Sequence, residues 1–187
     1  MKASVSLQLL APEQLPQLFM YLDEQLQENG RGDVPLFQPV SRRHSRLPPE
    51  KAAAFASSLA VPFGQPGWRR MWLAFDNQGG IAGHVDLRAY PDPASSHRAQ
   101  LGMGVQRNYR RLGLGRQLVD HALDWAGNTP PLAWIDLDVM SANLAARRLY
   151  ERAGFVVTGD VPDLYRIDGE SYGSVSMSRR VGLGASR

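Results

Sequence analysis

Residues 99–118, AQLGMGVQRNYRRLGLGRQL, carry the most informative pattern in the chain. The first part of this stretch predicts a strand, and its last part opens a segment with helical periodicity. The turn between them holds four arginines, Arg107, Arg110, Arg111 and Arg116, together with two glycines. The first turn of a helix has free N–H groups that attract anions, and glycine lets the backbone curl around such a group. The stretch therefore predicts a site for a diphosphate.

Two further glycines, Gly102 and Gly104, interrupt the strand itself. Glycine inside a strand marks a bulge, a close approach by a ligand, or a packing adjustment against a bulky neighbour, and the sequence leaves these readings open. Two common phosphate-binding patterns are excluded. The glycine spacings fail the dinucleotide pattern G-x-G-x-x-G at its third glycine, and no lysine stands where a nucleotide-hydrolase loop requires one.

Periodicity along the whole chain predicts a mixed α/β fold, with helices lying on the faces of a sheet. The predicted helices are residues 12–28, 49–60, 113–127 and 142–153. The predicted strands are residues 4–10, 70–76, 81–90, 99–105, 132–139, 155–161 and 174–181. A length of 187 residues fits a single domain spanning residues 1–187.

The amino-acid composition excludes several kinds of chemistry and predicts the cellular compartment. The chain has no cysteine, which excludes a disulfide scaffold, a thiolate zinc site and an acyl-enzyme formed on sulfur. No apolar run is long enough to span a bilayer and the first residues do not resemble a signal peptide, so we expect a soluble, cytoplasmic protein with no membrane partner. Only two of the 21 basic residues, Lys2 and Lys51, are lysines. A general preference for arginine codons explains this bias as well as anion binding does.

Two motifs resemble the GNAT-type N-acetyltransferase superfamily. Residues 110–115, RRLGLG, match its R/Q-x-x-G-x-G/A loop, and residues 143–155, NLAARRLYERAGF, match its N-x-x-A-x-x-L-Y-x-x-x-G-F segment at every marked position. In motif, the chain is most similar to ribosomal-protein N-terminal acetyltransferase-like members. The resemblance implies a mixed, mostly antiparallel seven-stranded sheet with about four helices on its faces, splayed between strands 4 and 5.

The resemblance also implies acetyl-CoA as the acyl donor, with no metal. The pyrophosphate would lie in the glycine turn, the backbone at the end of strand 4 would pair with the pantetheine arm, and Tyr150 would protonate the departing thiolate. The usual pKa values of a thiol and a tyrosine are close enough for that transfer. The implied cofactor-binding residues are Met103, Gly104, Val105, Arg110, Arg111, Leu112, Gly113, Leu114, Gly115, Arg116, Asn143, Ala146 and Tyr150.

A general base is harder to identify. Asp136 and Asp138 alternate along one predicted strand and therefore share a face. Asp138 resembles, by position, a glutamate proposed as the base in the ribosomal-protein subgroup, with a side chain one methylene shorter. His84 and Asp86 alternate on another strand and could act through water, and structural hydrogen bonding is the alternative for all four. We take Asp138 as the first candidate.

The function expected from this resemblance is direct acetyl transfer from acetyl-CoA to a primary amine, which could be a peptide, an amino acid or another small molecule. The alternative is a non-catalytic acyl-CoA-binding sensor, in which Tyr150 would have no chemical use. A nucleic-acid partner is not expected, because acidic residues are scattered among the arginines. The sequence leaves open whether the protein is a monomer or a homodimer.

Overall fold

A computed structural model describes residues 5–182 of the chain. Its centre is a seven-stranded sheet of order β1-β2-β3-β4-β5-β7-β6. The pair β4–β5 is parallel and the other neighbouring strands are antiparallel. The strands are β1 (Ser6–Leu9), β2 (Arg69–Phe75), β3 (Ile81–Ala89), β4 (Arg98–Val105), β5 (Trp134–Met140), β6 (Val156–Ile167) and β7 (Glu170–Arg180). The predicted mixed sheet is confirmed, while residue 4, where the first strand was expected to begin, lies outside the described residues.

Two helices cover each face of the sheet, as the apolar periodicity predicts. On one face, α1 (Leu15–Gln27) buries Leu18 and Tyr21 against β2, and α2 (Pro49–Ala60) packs beside it through half-buried side chains. On the other face, α3 (Leu114–Gly127) and α4 (Leu144–Arg152) build the larger core with the inward side chains of β3, β5 and β7. The two faces therefore differ in what lies beneath their helices.

The sheet face beneath α1 and α2 carries buried polar side chains on β3, β5 and β7. His84, Asp86 and Asp136 are buried on it, and Ser178 lies beside Asp136. Buried polar groups are costly unless they are paired, so such a concentration marks a part of the sheet built for something other than stability.

The last two strands depart from the prediction. The sequence predicts that β6 ends at residue 161 and that β7 begins at residue 174. In the structure both strands continue towards each other and form a long hairpin. Its turn is made by Asp168 and Gly169, both with positive φ, at 53° and 87°. A two-residue turn of that backbone shape matches the twist of a hairpin, and aspartate before glycine is a favoured pair for it. Among residues 5–182, no helix has the length and apolar character needed to cross a membrane.

Candidate active site

A gap opens in the middle of the sheet, between β4 and β5. These strands pair only from Arg98 to Gln100 with Trp134 to Asp136, although β4 continues to Val105 and β5 to Met140. Each strand remains paired with its other neighbour along that length. The predicted splay is therefore confirmed, and it leaves two backbone edges facing each other without a ladder between them. An extended ligand with amide groups could pair with such an edge as another strand would.

The glycine turn follows directly from the gap. After β4 the chain makes a short 3-10 turn, passes through Arg111 and Gly113 with φ of 63° and 85°, and enters α3 at Leu114. Within the described part of the chain, the backbone N–H groups of residues 111–113 have no hydrogen-bond acceptor. They lie beside the N-terminal end of a 14-residue helix. Unpaired N–H groups and the positive end of a helix dipole together favour an anion.

Three of the four arginines near the glycine turn form hydrogen bonds with other parts of the protein. The Arg110 guanidinium donates to the Val105 carbonyl at 2.9 Å and to Glu28 Oε2 at 2.8 Å, which ties the turn to β4 and to the end of α1. Arg107 donates to Asp33. Arg116 donates to both Asp120 oxygens, and also to a carbonyl at the end of α4. Structural hydrogen bonds therefore explain part of this clustering of arginines, which the sequence alone did not reveal.

Arg111 differs from these three residues. Its guanidinium makes no hydrogen bond or ion pair with any residue between 5 and 182, and the residue is exposed. It is the member of the set whose side chain is free to meet a phosphate. Leu114 is buried in the core, so it can offer only its backbone to a ligand, whereas Leu112 is exposed. Both leucines were predicted to lie in the cofactor-binding loop.

Gly115 brings α3 close to its neighbours. A Cβ at this position would lie 3.2 Å from Leu149 Cδ2 and 3.4 Å from Met103 Cε. The helix therefore packs tightly against α4 and against the end of β4, which fixes the turn relative to the gap. This is a packing reason for a glycine that the sequence analysis assigned to phosphate binding alone.

The segment from Asn143 onward places a tyrosine on α4, the helix that follows β5, the second strand of the gap. Asn143 Oδ1 accepts from the Ala146 N–H at 3.2 Å and so caps α4, which leaves its amide N–H groups free to donate. Tyr150 is 7% exposed, and its ring packs edge-on against Phe155 with centroids 5.8 Å apart. Burial raises the pKa of Tyr150 well above 10. Among residues 5–182 the hydroxyl has no hydrogen-bond partner, so the group stays protonated and uncommitted.

The glycines in β4 make room for side chains of β3. A Cβ at Gly102 would lie 2.5 Å from Asp86 Oδ1, and one at Gly104 would lie 2.7 Å from His84 Cε1. His84 Nδ1 also lies 3.2 Å from the hydroxyl of Tyr21 on α1. On this face of β4, the two glycines are therefore explained by packing against Asp86 and His84. Burial lowers the pKa of His84 to about 4, so its ring is neutral at physiological pH.

The two carboxylates of β5 differ in their surroundings. Asp136 is buried and accepts from Arg98, Tyr90 and Ser178. Its burial alone would raise the carboxyl pKa, but these hydrogen bonds outweigh it and the pKa is lowered. Asp138 is exposed and, among the residues that the structure describes, accepts a hydrogen bond from Ser176 alone, at 2.6 Å. Asp136 is therefore committed to structure, while Asp138 remains accessible on the same face, as its alternation predicts.

Other groups that shape the site were missed by the sequence analysis. Tyr21 fits the apolar stripe of α1, and Glu28 and Asp33 carry no motif, so no local signal marks them. Within the described residues, no group of three or more His, Cys, Asp or Glu side chains could hold a metal ion.

The model of the acetyltransferase (GNAT) family matches residues 41–155. The chain therefore belongs to this family. It is 29% identical to the N-alpha-acetyltransferase daf-31 of Caenorhabditis elegans over 53% of this chain, and the match spans 55% of that protein, about half its length. It is also 30% identical to the ribosomal protein bS18 alanine N-acetyltransferase of Salmonella typhimurium, over 57% of this chain and 68% of that protein.

Solved structures show the same fold over nearly the whole chain. A GNAT-family acetyltransferase from Streptococcus pneumoniae superposes with a TM-score of 0.79 at 24% identity, covering 96% of this chain and all of that one. A phosphinothricin acetyltransferase from Sinorhizobium meliloti, solved in complex with AcCoA, gives 0.73 at 16% identity, covering 98% of this chain and 91% of that one. At such identities these structures support the fold, and the chemistry has to be argued from the residues of this chain.

Proposed function

We propose that the protein is an acetyl-CoA-dependent N-acetyltransferase that transfers the acetyl group directly to a primary amine. The observation that carries the proposal is the opening between β4 and β5, which lies next to a turn with unpaired backbone N–H groups. A long ligand with a diphosphate at one end and amide groups along its arm matches both features. Acetyl-CoA is such a molecule, and the relative from Sinorhizobium meliloti is named as a complex with it.

The residues around the opening fit the parts of this ligand. The N–H groups of residues 111–115 and the Arg111 guanidinium would hold the diphosphate. The free edge at Met103, Gly104 and Val105 would pair with the pantetheine amides, with Ala146 and the amide of Asn143 on the opposite side. Arg110 and Arg116 would contribute by shaping the turn, because their guanidinium groups are already bonded.

Tyr150 is the proposed general acid. Acetyl-CoA, when bound, supplies an acetyl group activated as a thioester. As the acceptor nitrogen bonds to the acetyl carbon and the carbon–sulfur bond breaks, the Tyr150 hydroxyl gives its proton to the sulfur. The buried Tyr150, with no competing partner among residues 5–182, carries its proton at physiological pH. Burial of the departing sulfur beside it would raise the thiol pKa in the same direction, which keeps the proton transfer feasible.

Asp138 is the proposed base. It would accept the proton that the acceptor ammonium must lose before its nitrogen can attack, directly or through one water. Its accessibility, and the fact that Ser176 is its one hydrogen-bond partner between residues 5 and 182, support this role over Asp136. The acceptor would then approach over the polar face that carries α1 and α2.

A thiol-release screen tests the proposal. The protein is mixed with acetyl-CoA and, separately, with free amino acids, polyamines, aminoglycosides and short peptides, and free thiol is measured against a no-acceptor control. Release that depends on an amine, with an acetylated product found by mass spectrometry, is the expected result. Calorimetric binding of acetyl-CoA without release from any acceptor would favour the sensor alternative. Absence of both binding and release would refute the placement of the ligand.

A further inference from the structure

The segment between α1 and α2, residues 28–48, contacts both sides of the opening; we call it the α1–α2 loop. On the β4 side, Glu28 accepts from Arg110, and Asp33 accepts from Arg107. Both arginines belong to the glycine turn that follows β4. One end of the loop is therefore attached to the structure around the proposed diphosphate site.

The loop has a defined shape of its own. Asn29 is completely buried, and its Oδ1 accepts from the N–H groups of Phe37 and Gln38 at 2.8 and 3.0 Å. Its Nδ2 donates back to the Gln38 carbonyl at 3.0 Å. An asparagine that satisfies loop backbone on three sides acts as an internal brace, so the end of the loop that contacts the glycine turn can keep its shape when contacts at the far end are lost.

The far end of the loop binds the β6–β7 hairpin on the other side of the opening. Asp168, in the hairpin turn, accepts from Ser41 Oγ at 2.6 Å and from the Arg42 N–H at 3.0 Å. The Arg42 guanidinium reaches Asp168 at 3.4 Å and Glu170 at 3.1 Å, and it also donates to the Tyr172 hydroxyl. These contacts form a clamp, which we define as Arg42 with Asp168, Glu170 and Tyr172.

An apolar cluster supports the clamp from beneath. Leu36 of the loop is buried against Met140 at the end of β5 and Ile167 at the end of β6. The clamp thus lies at the end of β5 where the gap from β4 is open, beyond the three paired positions. An arginine suits this place because its guanidinium spreads its N–H donors over a planar fork that reaches two carboxylates and a phenol, whereas a lysine presents its three donors from a single nitrogen.

We propose that Arg42 is a positioning residue for the acceptor amine, because its clamp fixes the distance between the two walls of the acceptor side. This inference rests on the proposed function. One wall is the α1–α2 loop and the other is the β6–β7 hairpin, and the clamp joins them across the opening. Arg42 touches neither the proposed acyl donor site nor Tyr150. Loss of the clamp therefore weakens acceptor binding and leaves the chemical step and the acetyl-CoA site intact.

Arg42→Gln tests this role, with Arg43→Gln as the matched control. Arg43 is the next residue and carries the same charge, and within residues 5–182 its guanidinium makes no hydrogen bond or ion pair. For Arg42→Gln we expect the acceptor KM to rise about tenfold, the value for losing one charged hydrogen-bonding group. The kcat at saturating acceptor and the acetyl-CoA Kd stay at wild-type values, as do all constants of Arg43→Gln.

Asp168→Asn supplies a second variant that keeps the turn, because asparagine also tolerates positive φ. If the two residues act through each other, the double variant Arg42→Gln, Asp168→Asn raises KM no further than the larger single effect. Hydrogen exchange on the free protein adds a readout that does not depend on turnover. Amides of residues 165–172 should exchange faster in Arg42→Gln than in Arg43→Gln.

The outcomes separate this inference from the proposed function. An acceptor KM for Arg42→Gln equal to that of Arg43→Gln overturns the positioning role while acetyl transfer stands. An equal loss of acetyl-CoA affinity, or a fall in kcat with KM unchanged, also overturns it, because the clamp would then act on the fold or the chemistry. A wild-type protein that binds acetyl-CoA but acetylates no amine refutes the proposed function, and the positioning role falls with it.

Discussion

Replacing Tyr150 with phenylalanine removes one oxygen atom and leaves the rest of the side chain in place. The ring packs against Phe155 and other core side chains, and phenylalanine can make the same contacts. In the described part of the chain the hydroxyl has no hydrogen-bond partner, so its removal leaves no buried group unpaired. We therefore expect the free energy of unfolding to change by less than about 1 kcal/mol.

The effect on turnover should be far larger. General acid catalysis contributes roughly 10²–10⁴-fold to a rate, so kcat should fall by about that factor. The acetyl-CoA Kd should stay near its wild-type value, because the proposed contacts to the diphosphate and the pantetheine arm are elsewhere. Because burial raises the pKa of Tyr150 above 10, its ionisation should not produce an alkaline limb below that pH in the wild-type pH–rate profile.

Tyr90→Phe is the matched control for this experiment. The Tyr90 hydroxyl donates to the buried Asp136 at 3.0 Å, so its loss should reduce stability by about 1 kcal/mol while turnover is kept. Thiol release, calorimetric acetyl-CoA binding and urea unfolding are measured on both variants. A Tyr150→Phe enzyme with wild-type kcat would remove this residue from the acid role. A loss of kcat matched by an equal loss of stability would assign it to the core alone.

Three further predictions concern the base, the turn and the buried histidine. Asp138→Asn should lower kcat by roughly 10²–10⁴-fold with the acetyl-CoA Kd unchanged, and wild-type turnover would clear Asp138 of the base role. Gly113→Ala should weaken acetyl-CoA binding in calorimetry and cost about 1–2 kcal/mol in unfolding, because φ at this position is 85°; unchanged affinity would contradict the diphosphate placement. His84 has a pKa of about 4 in the folded protein and about 6.5 in the unfolded chain, so between these pH values it is protonated only when the protein is unfolded. The free energy of unfolding should therefore fall by about 3 kcal/mol as the pH is lowered from above 6.5 to 4. His84→Gln should flatten that dependence in urea titrations, and an equally steep dependence in the variant would assign it to other groups.

The helices were predictable because their signals are local, whereas the gap was expected only from the resemblance to the acetyltransferase family. The apolar spacing of Leu114, Leu118 and Ala122 marks one face of α3, and the structure buries all three. The motif at residues 143–155 likewise fixed the position of α4 and of Tyr150 within it. Such patterns depend on residues a few positions apart, which a single sequence displays directly.

The clamp and the ion pairs of Arg107 and Arg110 were not predictable, because they join distant parts of the chain. Arg42 and Asp168 are 126 positions apart, and Arg110 and Glu28 are 82 apart. A charged residue in a loop looks the same whether its partner is a phosphate or a carboxylate from another element. The extra length of β6 and β7 was hidden for a related reason, since its exposed side chains carry no apolar alternation.

The facing strands of the gap have a consequence for the protein's behaviour in a crowded cell. A row of unpaired peptide groups on a sheet margin invites another polypeptide to add to it, which leads to aggregation. In this protein the unpaired peptide groups lie between two strands in the middle of the sheet, and the clamp joins the α1–α2 loop to the β6–β7 hairpin across the opening. One of the two outer edge strands, β6, is protected in another way, by Pro162 and by breaks in its pairing with β7. The unpaired strand edges at the gap are thus placed inside the sheet, away from its outer edges, where pairing with another molecule's strand would begin.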